Sequence, residues 1–203
     1  MLKVNSVFLS MQGEGIDTGV PTVFIRLAGC SMKCSFCDEG SDLLTFVELN
    51  EVQIVEQVLK VISMFNDLGT VGIIKNIVIT GGEPLEQDLL DLVVKLRGNK
   101  FRVGIETNGT KELGDLFFLL GVVTISPKVP IDKCKIEKCT NLKILYPYIK
   151  NITAESYNGF EAYHKFIQPI WSTVSAYDAF VEVCRLGPPW KLGLQVHKLI
   201  GMQ

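Results

Sequence analysis

Short apolar runs rich in β-branched residues alternate along this chain with segments of helical periodicity. Residues 75–80 (KNIVIT), 101–106 (FRVGIE) and 122–126 (VVTIS) have the length and composition of buried strands. Helices are predicted over residues 49–65, 86–98 and 175–187. Such alternation is typical of βα units arranged around a mostly parallel sheet.

The strand count limits how far this sheet can close. Residues 6–10 and 21–29 predict an N-terminal hairpin, and about six strands follow it, which is too few for a closed eight-stranded barrel. The last strand is expected within residues 190–199, which would place His197 on it. The predicted fold class is therefore α/β, an incomplete βα barrel of about six parallel strands with an N-terminal hairpin.

Composition excludes several classes of protein. The chain has 203 residues, 47% of them hydrophobic and 21% charged, which suits one globular domain spanning residues 1–203. The net charge of -2 leaves no basic excess for binding nucleic acid. No apolar run reaches the ~18 residues of a membrane span, and no signal peptide is evident, so a cytoplasmic protein is expected. Six cysteines in such a chain favour metal-binding or catalytic thiols over disulfides.

Unusual residues cluster where the predicted strands end. The stretches AGC, TGGEP, ETNG, SPK and QP each follow a strand. In parallel α/β folds, binding and catalytic sites form at the carboxyl ends of the strands. The sequence therefore predicts a functional site at this edge of the sheet.

Three cysteines, Cys30, Cys34 and Cys37, stand in one of these loops with the spacing C-x3-C-x2-C. They could hold a structural zinc ion if a fourth ligand, such as Cys134 or Cys139, joined them. Three thiolates could equally bind three irons of a 4Fe–4S cluster and leave the fourth iron open to a small molecule. The spacing alone leaves both interpretations open.

The pattern C-x3-C-x-aromatic-C resembles the signature of the radical S-adenosylmethionine (SAM) enzymes. The resemblance implies that the three cysteines hold a 4Fe–4S cluster whose open iron takes the amino and carboxylate groups of SAM. The TGGEP loop resembles the family's SAM-binding loop, with Gly82 approaching the cofactor and Glu83 accepting from its ammonium group. In that family, one electron from the cluster then generates a 5′-deoxyadenosyl radical.

Within that superfamily, the chain resembles the 7-carboxy-7-deazaguanine synthases nearly from end to end. The matching stretches are QGEG, RLAGC, VITGGEP, IETNGT, ISPK, LKIL, FIQP and LQVHKL. The resemblance implies conversion of 6-carboxy-5,6,7,8-tetrahydropterin to 7-carboxy-7-deazaguanine with loss of ammonia, in queuosine-type biosynthesis. It also implies an electron donor such as flavodoxin or ferredoxin, and a homodimer.

The same resemblance implies the site residues. Substrate contacts are expected from Met11, Gln12, Gly13, Glu14, Arg26, Thr80, Glu106, His197 and the terminal carboxylate of Gln203. SAM contacts are expected from Phe36, Asp38, Gly82, Glu83, Ser126, Pro127, Lys128, Gln168, Pro169, Ile170 and Trp171. The residue chemistry agrees with this, because a carboxylate suits the guanidine-like edge of a pterin and an arginine suits an anion or carbonyl.

One position departs from the family pattern. Family members usually have Cys-Asp-Thr after the cluster cysteines, and that threonine helps to hold Mg²⁺. This chain has Cys37-Asp38-Glu39. A glutamate carboxylate is a good ligand for Mg²⁺, so Glu39 is the expected metal ligand, although the site could also be altered or lost.

Two other classes of function stay open at this stage. A glycyl-radical activating enzyme shares the cysteine motif, but it would act on a partner protein and lack QGEG. A non-enzymatic zinc module would carry zinc in place of iron and sulfide. The remaining cysteines, Cys134, Cys139 and Cys184, match no motif and are interpreted as structural.

Overall fold

The computed structural model describes residues 1–40, 44–65 and 74–202. The strands are β1 (Leu2–Met11), β2 (Pro21–Leu27), β3 (Val47–Leu49), β4 (Asn76–Gly81), β5 (Arg102–Thr107), β6 (Val122–Ile125), β7 (Lys138–Tyr146), β8 (Glu161–Pro169) and β9 (Trp190–Leu192). The helices are α1 (Glu51–Ser63), α2 (Leu90–Gly98), α3 (Leu116–Leu119), α4 (Ala176–Leu186) and α5 (Val196–Leu199). The chain divides into two compact units, one built on β1–β5 and one on β6–β9.

The first unit comprises residues 1–12, 20–106 and 113–121. Its strands follow the order β3-β1-β2-β4-β5. The two N-terminal strands pair antiparallel, as the predicted hairpin requires, and β2, β4 and β5 pair parallel. Strand β4 is buried at three successive positions, Ile77, Val78 and Ile79, as expected for a parallel strand covered on both faces.

Helix α1 covers this sheet. Asn50 and Gln53 form a capping box, each side chain accepting from the other residue's backbone N–H at 2.9 Å. Ile54, Val55 and Val58 lie on the buried face, at the spacing of an amphipathic helix. The predicted helix over residues 49–65 is therefore confirmed, with its start set by the cap at Asn50.

The second unit comprises residues 13–19, 107–112 and 122–203, of which Gln203 lies outside the described residues. Its strands follow the order β6-β7-β8-β9, all parallel. Helix α4 begins at a second capping box, formed by Ser175 and Asp178, and ends at Gly187. It matches the helix predicted over residues 175–187.

Two predicted elements need correction. Helix α2 begins at Leu90 and not at Glu86, because Pro84–Glu86 forms a separate 3-10 turn and Asp88 accepts the Leu90 N–H at 3.2 Å. The predicted last strand over residues 190–199 is also wrong beyond Leu192. His197 lies in the short helix α5, not on a strand.

Within the described residues, seven strands follow the hairpin: the short β3, which pairs antiparallel with β1, and β4–β9, which match the predicted number of about six. The single domain expected over residues 1–203 stays a prediction. None of the helices within the described ranges combines the length with the apolar composition needed to cross a membrane.

The end of β4 is joined to the loop after β2 by a close contact between backbones. The Gly82 N–H donates to Leu27 O and the Glu83 N–H donates to Gly29 O, both at 2.9 Å. A Cβ atom on Gly82 would lie 1.8 Å from Gly29 O, and one on Gly81 would lie 2.2 Å from Leu27 O. The Gly-Gly pair is therefore required by sterics, and the φ of +114° at Gly81 adds a conformational reason.

We expect Gly82→Ala to lower the free energy of unfolding by about 2–3 kcal/mol, because the added methyl group must push the two backbones apart. Gly98→Ala is the matched control, since a Cβ at that helical position would have no atom within 4 Å apart from its chain neighbours and its own helix backbone. It should leave stability unchanged or raise it by up to ~1 kcal/mol. Urea titration compares the two variants, and equal midpoints would contradict the close approach.

Candidate active site

The three cysteines of the motif follow β2 in one loop. Cys30 and Cys34 are half-buried, Cys37 is exposed, and all three are free thiols. A turn joins the last two, in which the Cys37 N–H donates to Cys34 O at 3.2 Å. All three thiols therefore lie on one short segment and are at least partly accessible.

Two glutamates of the TGGEP region fix the base of this cysteine loop. Besides the backbone contact of Glu83 with Gly29, the Glu86 carboxylate accepts from the Ser31 N–H at 3.0 and 3.1 Å and from the Ser31 hydroxyl group. Glu83 is buried, and its carboxylate accepts from the Leu85 N–H at 3.1 Å. Glu86 was not predicted from the sequence, because it lies outside every motif and a single surface carboxylate does not indicate such a contact.

The loop supplies three thiols, the type of donor that an iron–sulfur cluster requires. Burial raises the pKa of the Cys30 thiol, and the carboxylates of Glu86 and Glu83 raise it further. A bound metal would oppose this effect, because thiolate ligands are deprotonated by the cation. In the described part of the chain, no three His, Cys, Asp or Glu side chains converge closely enough to hold a metal ion.

Arg26 lies at the centre of a second group in the first unit. Its Nη2 is 2.9 Å from Glu39 Oε1, and its guanidinium stacks 5.1 Å above the ring of Phe8. Thr80 is its register partner on β4. The Arg26 Nε is buried and has no hydrogen-bond partner among the described residues. A buried donor of this kind suits a ligand that brings a carbonyl or carboxylate oxygen.

Gln12 and Glu106 also come together in the first unit, although they lie 94 positions apart. The Gln12 Nε2 donates to Glu106 Oε1 at 3.1 Å. Met11, the last residue of β1, pairs with Pro21. Two of the predicted substrate contacts are thus in direct contact with each other.

Glu14 lies in the second unit, where it is buried beside Lys143 of β7. The Lys143 ammonium group contacts Glu14 Oε2, and Gln195 Nε2 donates to Glu14 Oε1 at 2.8 Å. Burial raises the pKa of the Glu14 carboxyl group, but the charge of Lys143 and hydrogen bonds from Lys143, Gln195 and Gln168 outweigh it. The net pKa lies below its ordinary value, so Glu14 is ionised.

Four further predicted residues of the second unit form two contacts. The Lys128 ammonium group donates to the carbonyl and hydroxyl oxygens of Ser126, at 3.0 and 2.8 Å. His197 packs against Gly13 so closely that a Cβ there would lie 1.9 Å from its Nδ1. Both members of each contact were predicted from the sequence.

Gln168 has a buried hydrogen-bond acceptor that is suited to bind SAM. It is 4% exposed, and its Oε1 has no hydrogen-bond partner among the described residues. SAM carries amino and hydroxyl donors, so this buried acceptor fits it.

The predicted site residues divide between the units. The first unit holds Met11, Gln12, Arg26, Cys30, Cys34, Phe36, Cys37, Asp38, Glu39, Thr80, Gly82, Glu83 and Glu106. The second holds Gly13, Glu14, Ser126, Pro127, Lys128, Gln168, Pro169, Ile170, Trp171 and His197. Gln203 lies outside the described residues.

Sequence reasoning missed Lys143 and Gln195, the two partners of Glu14. A signal for Lys143 existed, since it stands in the apolar run LKIL between Leu142 and Ile144, both fully buried. A lysine at such a position of a buried strand requires an internal partner. Gln195 follows the last strand and had no comparable signal.

Comparison with known proteins identifies the family of this chain. The family model of the Radical SAM superfamily matches residues 24–165. The 7-carboxy-7-deazaguanine synthase of Bacteroides thetaiotaomicron is 34% identical, with 100% of each chain covered. The synthase of Escherichia coli is 30% identical, with 98% of each chain covered. These full-length matches favour the synthases over an activating enzyme or a zinc module.

A solved structure supports the fold as well. The crystal structure of QueE from Escherichia coli aligns with a TM-score of 0.64 and 27% identity, covering 97% of this chain and 94% of that one. Together with the mostly parallel pairing and the N-terminal hairpin, this confirms the predicted α/β class with an incomplete barrel. The chain belongs to the Radical SAM superfamily and, within it, to the family of the 7-carboxy-7-deazaguanine synthases.

Proposed function

We propose that this chain converts 6-carboxy-5,6,7,8-tetrahydropterin to 7-carboxy-7-deazaguanine with loss of ammonia, in 7-deazapurine biosynthesis. Full-length similarity to enzymes of that name supports the proposal. The observation that carries it is the three-cysteine loop, whose base is held by the Gly-Gly-Glu turn of β4. The chain would use a 4Fe–4S cluster, held by Cys30, Cys34 and Cys37, together with SAM.

When bound, the cluster and SAM supply the one-electron chemistry that removes hydrogen from the substrate. The protein's own residues bind and orient. Arg26 Nε can donate to a carbonyl or carboxylate oxygen of the pterin. The Gln12–Glu106 pair offers an amide and a carboxylate that match the donors and acceptors of the ring edge. The predicted SAM contacts, Ser126 and Lys128 among them, orient the cofactor.

The proposal includes partners and a location. An external electron donor such as flavodoxin or ferredoxin would reduce the cluster, and the enzyme would work in the cytoplasm as a homodimer. Six free thiols agree with a reducing compartment. The terminal carboxylate of Gln203 remains a proposed ligand of the pterin.

Mg²⁺ at Glu39 is also part of the proposal. The carboxylates of Asp38 and Glu39 are hard oxygen donors, so the donor set fits this ion, which would grip the substrate carboxylate. Glu39 Oε1 is already paired with Arg26 at 2.9 Å. A bound Mg²⁺ would therefore share this carboxylate with the guanidinium or displace it.

The first test concerns the cluster. Replacing Cys30, Cys34 or Cys37 by alanine should abolish cluster binding, because each removes one of three thiolate ligands. Cys184→Ala and Cys134→Ala are the controls and should keep full iron content. The iron and sulfide content per chain, measured on anaerobically reconstituted protein, distinguishes the ligand variants from the controls. If Cys134→Ala lost iron as fully as Cys34→Ala, the three-ligand assignment would be wrong.

The second test concerns Glu39. Turnover should rise with added Mg²⁺, Glu39→Thr should keep activity, and Glu39→Ala should lose about tenfold or more, since it removes the metal ligand. Initial rates over a Mg²⁺ titration measure all three proteins. A loss in Glu39→Ala with no response to Mg²⁺ in the unmodified enzyme would instead assign Glu39 to its pair with Arg26.

The third test concerns assembly. Exposed apolar side chains on one face of α4, Tyr177 at 71%, Phe180 at 47% and Val181 at 49%, agree with burial against another chain. Light scattering at micromolar concentration should give the mass of a dimer. Replacing Phe180 by Glu should shift the protein toward the monomer if this face is used, and a monomeric unmodified protein would contradict the dimer.

A further inference from the structure

Lys143 carries no role in the expectations above, although the structure buries it. It is 5% exposed, on a strand whose neighbours Leu142 and Ile144 are fully buried. A charged ammonium group is costly in such a place unless it is paired. Its partner is Glu14, 129 positions away in the sequence. A buried pair between residues so far apart in the sequence calls for a reason.

The pair controls the state of Glu14. Alone, a buried carboxyl group would take up a proton, because burial disfavours the charged form. Beside Lys143 it is ionised, with a lowered pKa. An ionised carboxylate only accepts hydrogen bonds, so an amide that binds it must present its NH₂ group. Gln195 Nε2 lies 2.8 Å from Glu14 Oε1, and a hydrogen bond from the Gln168 side chain contributes to the lowered pKa of Glu14.

This requirement fixes the orientation of Gln168. With its NH₂ group on Glu14, the amide oxygen Oε1 points elsewhere, and there it is buried without a hydrogen-bond partner among the described residues. Gly193, which brings no side chain, lies against it, and a Cβ there would be 3.3 Å from Oε1. Because a buried acceptor without a donor costs free energy, a ligand donor is the natural partner.

We propose that Lys143 is a positioning residue. By pairing with Glu14 it keeps that carboxylate ionised, and the ionised carboxylate holds the Gln168 amide so that its oxygen accepts a hydrogen bond from bound SAM. The inference rests on the proposed function only in taking SAM as the ligand. It does not depend on the identity of the substrate.

Other titratable groups surround this cluster. Lys198 donates to Gln195 Oε1 at 3.1 Å, and His197 packs against Gly13. Asp17 lies on the turn after Glu14, and His164 lies on β8 four positions before Gln168. All of these are retained in a Lys143 variant. Their own titration therefore affects the Kd of SAM equally in the variant and in the unmodified protein, and it cancels in the ratio of the two Kd values.

The experiment measures the Kd of SAM by anaerobic equilibrium dialysis on cluster-loaded protein. Lys143→Met keeps the length of the side chain and removes its charge, and we expect it to weaken binding about tenfold at neutral pH. Lys143→Arg keeps the charge and should restore most of the affinity. Lys191→Met, an exposed lysine on β9 of the same sheet, is the control and should bind normally.

The pH dependence separates positioning from simple loss of packing. In Lys143→Met, burial raises the pKa of Glu14 without the opposing charge of Lys143, so a larger fraction of the carboxyl group is protonated and can donate as well as accept. Raising the pH should ionise it and restore the amide orientation. The ratio of the two Kd values should therefore fall as the pH rises. A lost packing contact would leave that ratio unchanged.

Stability gives an independent reading of the same pair. In the unmodified protein the folded pKa of Glu14 is depressed, so its stabilisation is present above the unfolded pKa and is lost as the pH falls through the folded value. In Lys143→Met the folded pKa is raised instead. The native state then binds more protons, so stability from this group falls as the pH rises from the unfolded toward the folded pKa. Adding Glu14→Gln should abolish that slope.

The outcomes are distinct. Unchanged SAM affinity in a folded Lys143→Met protein overturns the inference and leaves the proposed function standing. Normal SAM binding with no turnover of the pterin overturns the proposed substrate and leaves the inference standing. If Lys143→Met does not fold, the dialysis is done with the double variant in which Glu14→Gln is combined with Lys143→Met. This variant has no unpaired charge at the two positions. The inference then predicts that this variant also binds SAM more weakly than the unmodified protein.

Discussion

The contact between the backbones of Gly82 and Gly29 is the constraint on which the first unit's site depends. It joins the carboxyl end of β4 to the loop that carries all three cysteines. A Cβ atom on Gly82 would lie 1.8 Å from Gly29 O, so glycine is what allows the two backbone hydrogen bonds of 2.9 Å. The 3-10 turn after it then places Glu86 on Ser31, next to Cys30.

Each unit contains an ion pair between residues of the predicted or candidate site, and the two pairs differ in how deeply they are buried. In the first unit, Arg26 and Glu39 pair with about a fifth to a quarter of each side chain exposed, so solvent screens them and the pair can rearrange for a ligand. In the second unit, Lys143 and Glu14 are almost wholly buried, and removing either partner leaves the other without its counter-charge. The partly exposed pair, Arg26 with Glu39, suits exchange with a ligand, whereas the buried pair, Lys143 with Glu14, suits permanent support.

Glutamate at position 39 adds a negative charge at the end of the cysteine loop, two residues after Cys37. A threonine there would offer one neutral hydroxyl group, whereas Glu39 brings a charge that the structure balances with Arg26. The departure from the family pattern is thus compensated within the same unit. It also links a predicted metal ligand to a predicted substrate ligand, so a change at one is expected to affect the other.

Much of the site could be predicted from sequence because its residues are local in the chain. The cysteine loop, the Gly-Gly turn and the strand ends follow from spacing, sterics and periodicity within a few residues of one another. Helix α1 was also predictable, since the residues of its cap and of its apolar face lie within one short segment of the sequence. The α5 helix was not, because its short apolar segment fits a strand equally well and only its packing against Gly13 distinguishes the two.

By itself, then, the sequence determined the α/β alternation, the hairpin, the cysteine motif and the family. Only the tertiary structure decided which distant charges and amides meet: Gln12 with Glu106, Arg26 with Glu39, and Lys143 with Glu14. The physical reason is that periodicity records whether a side chain is buried, whereas a hydrogen bond or an ion pair depends on atomic positions that strand register and loop packing set together.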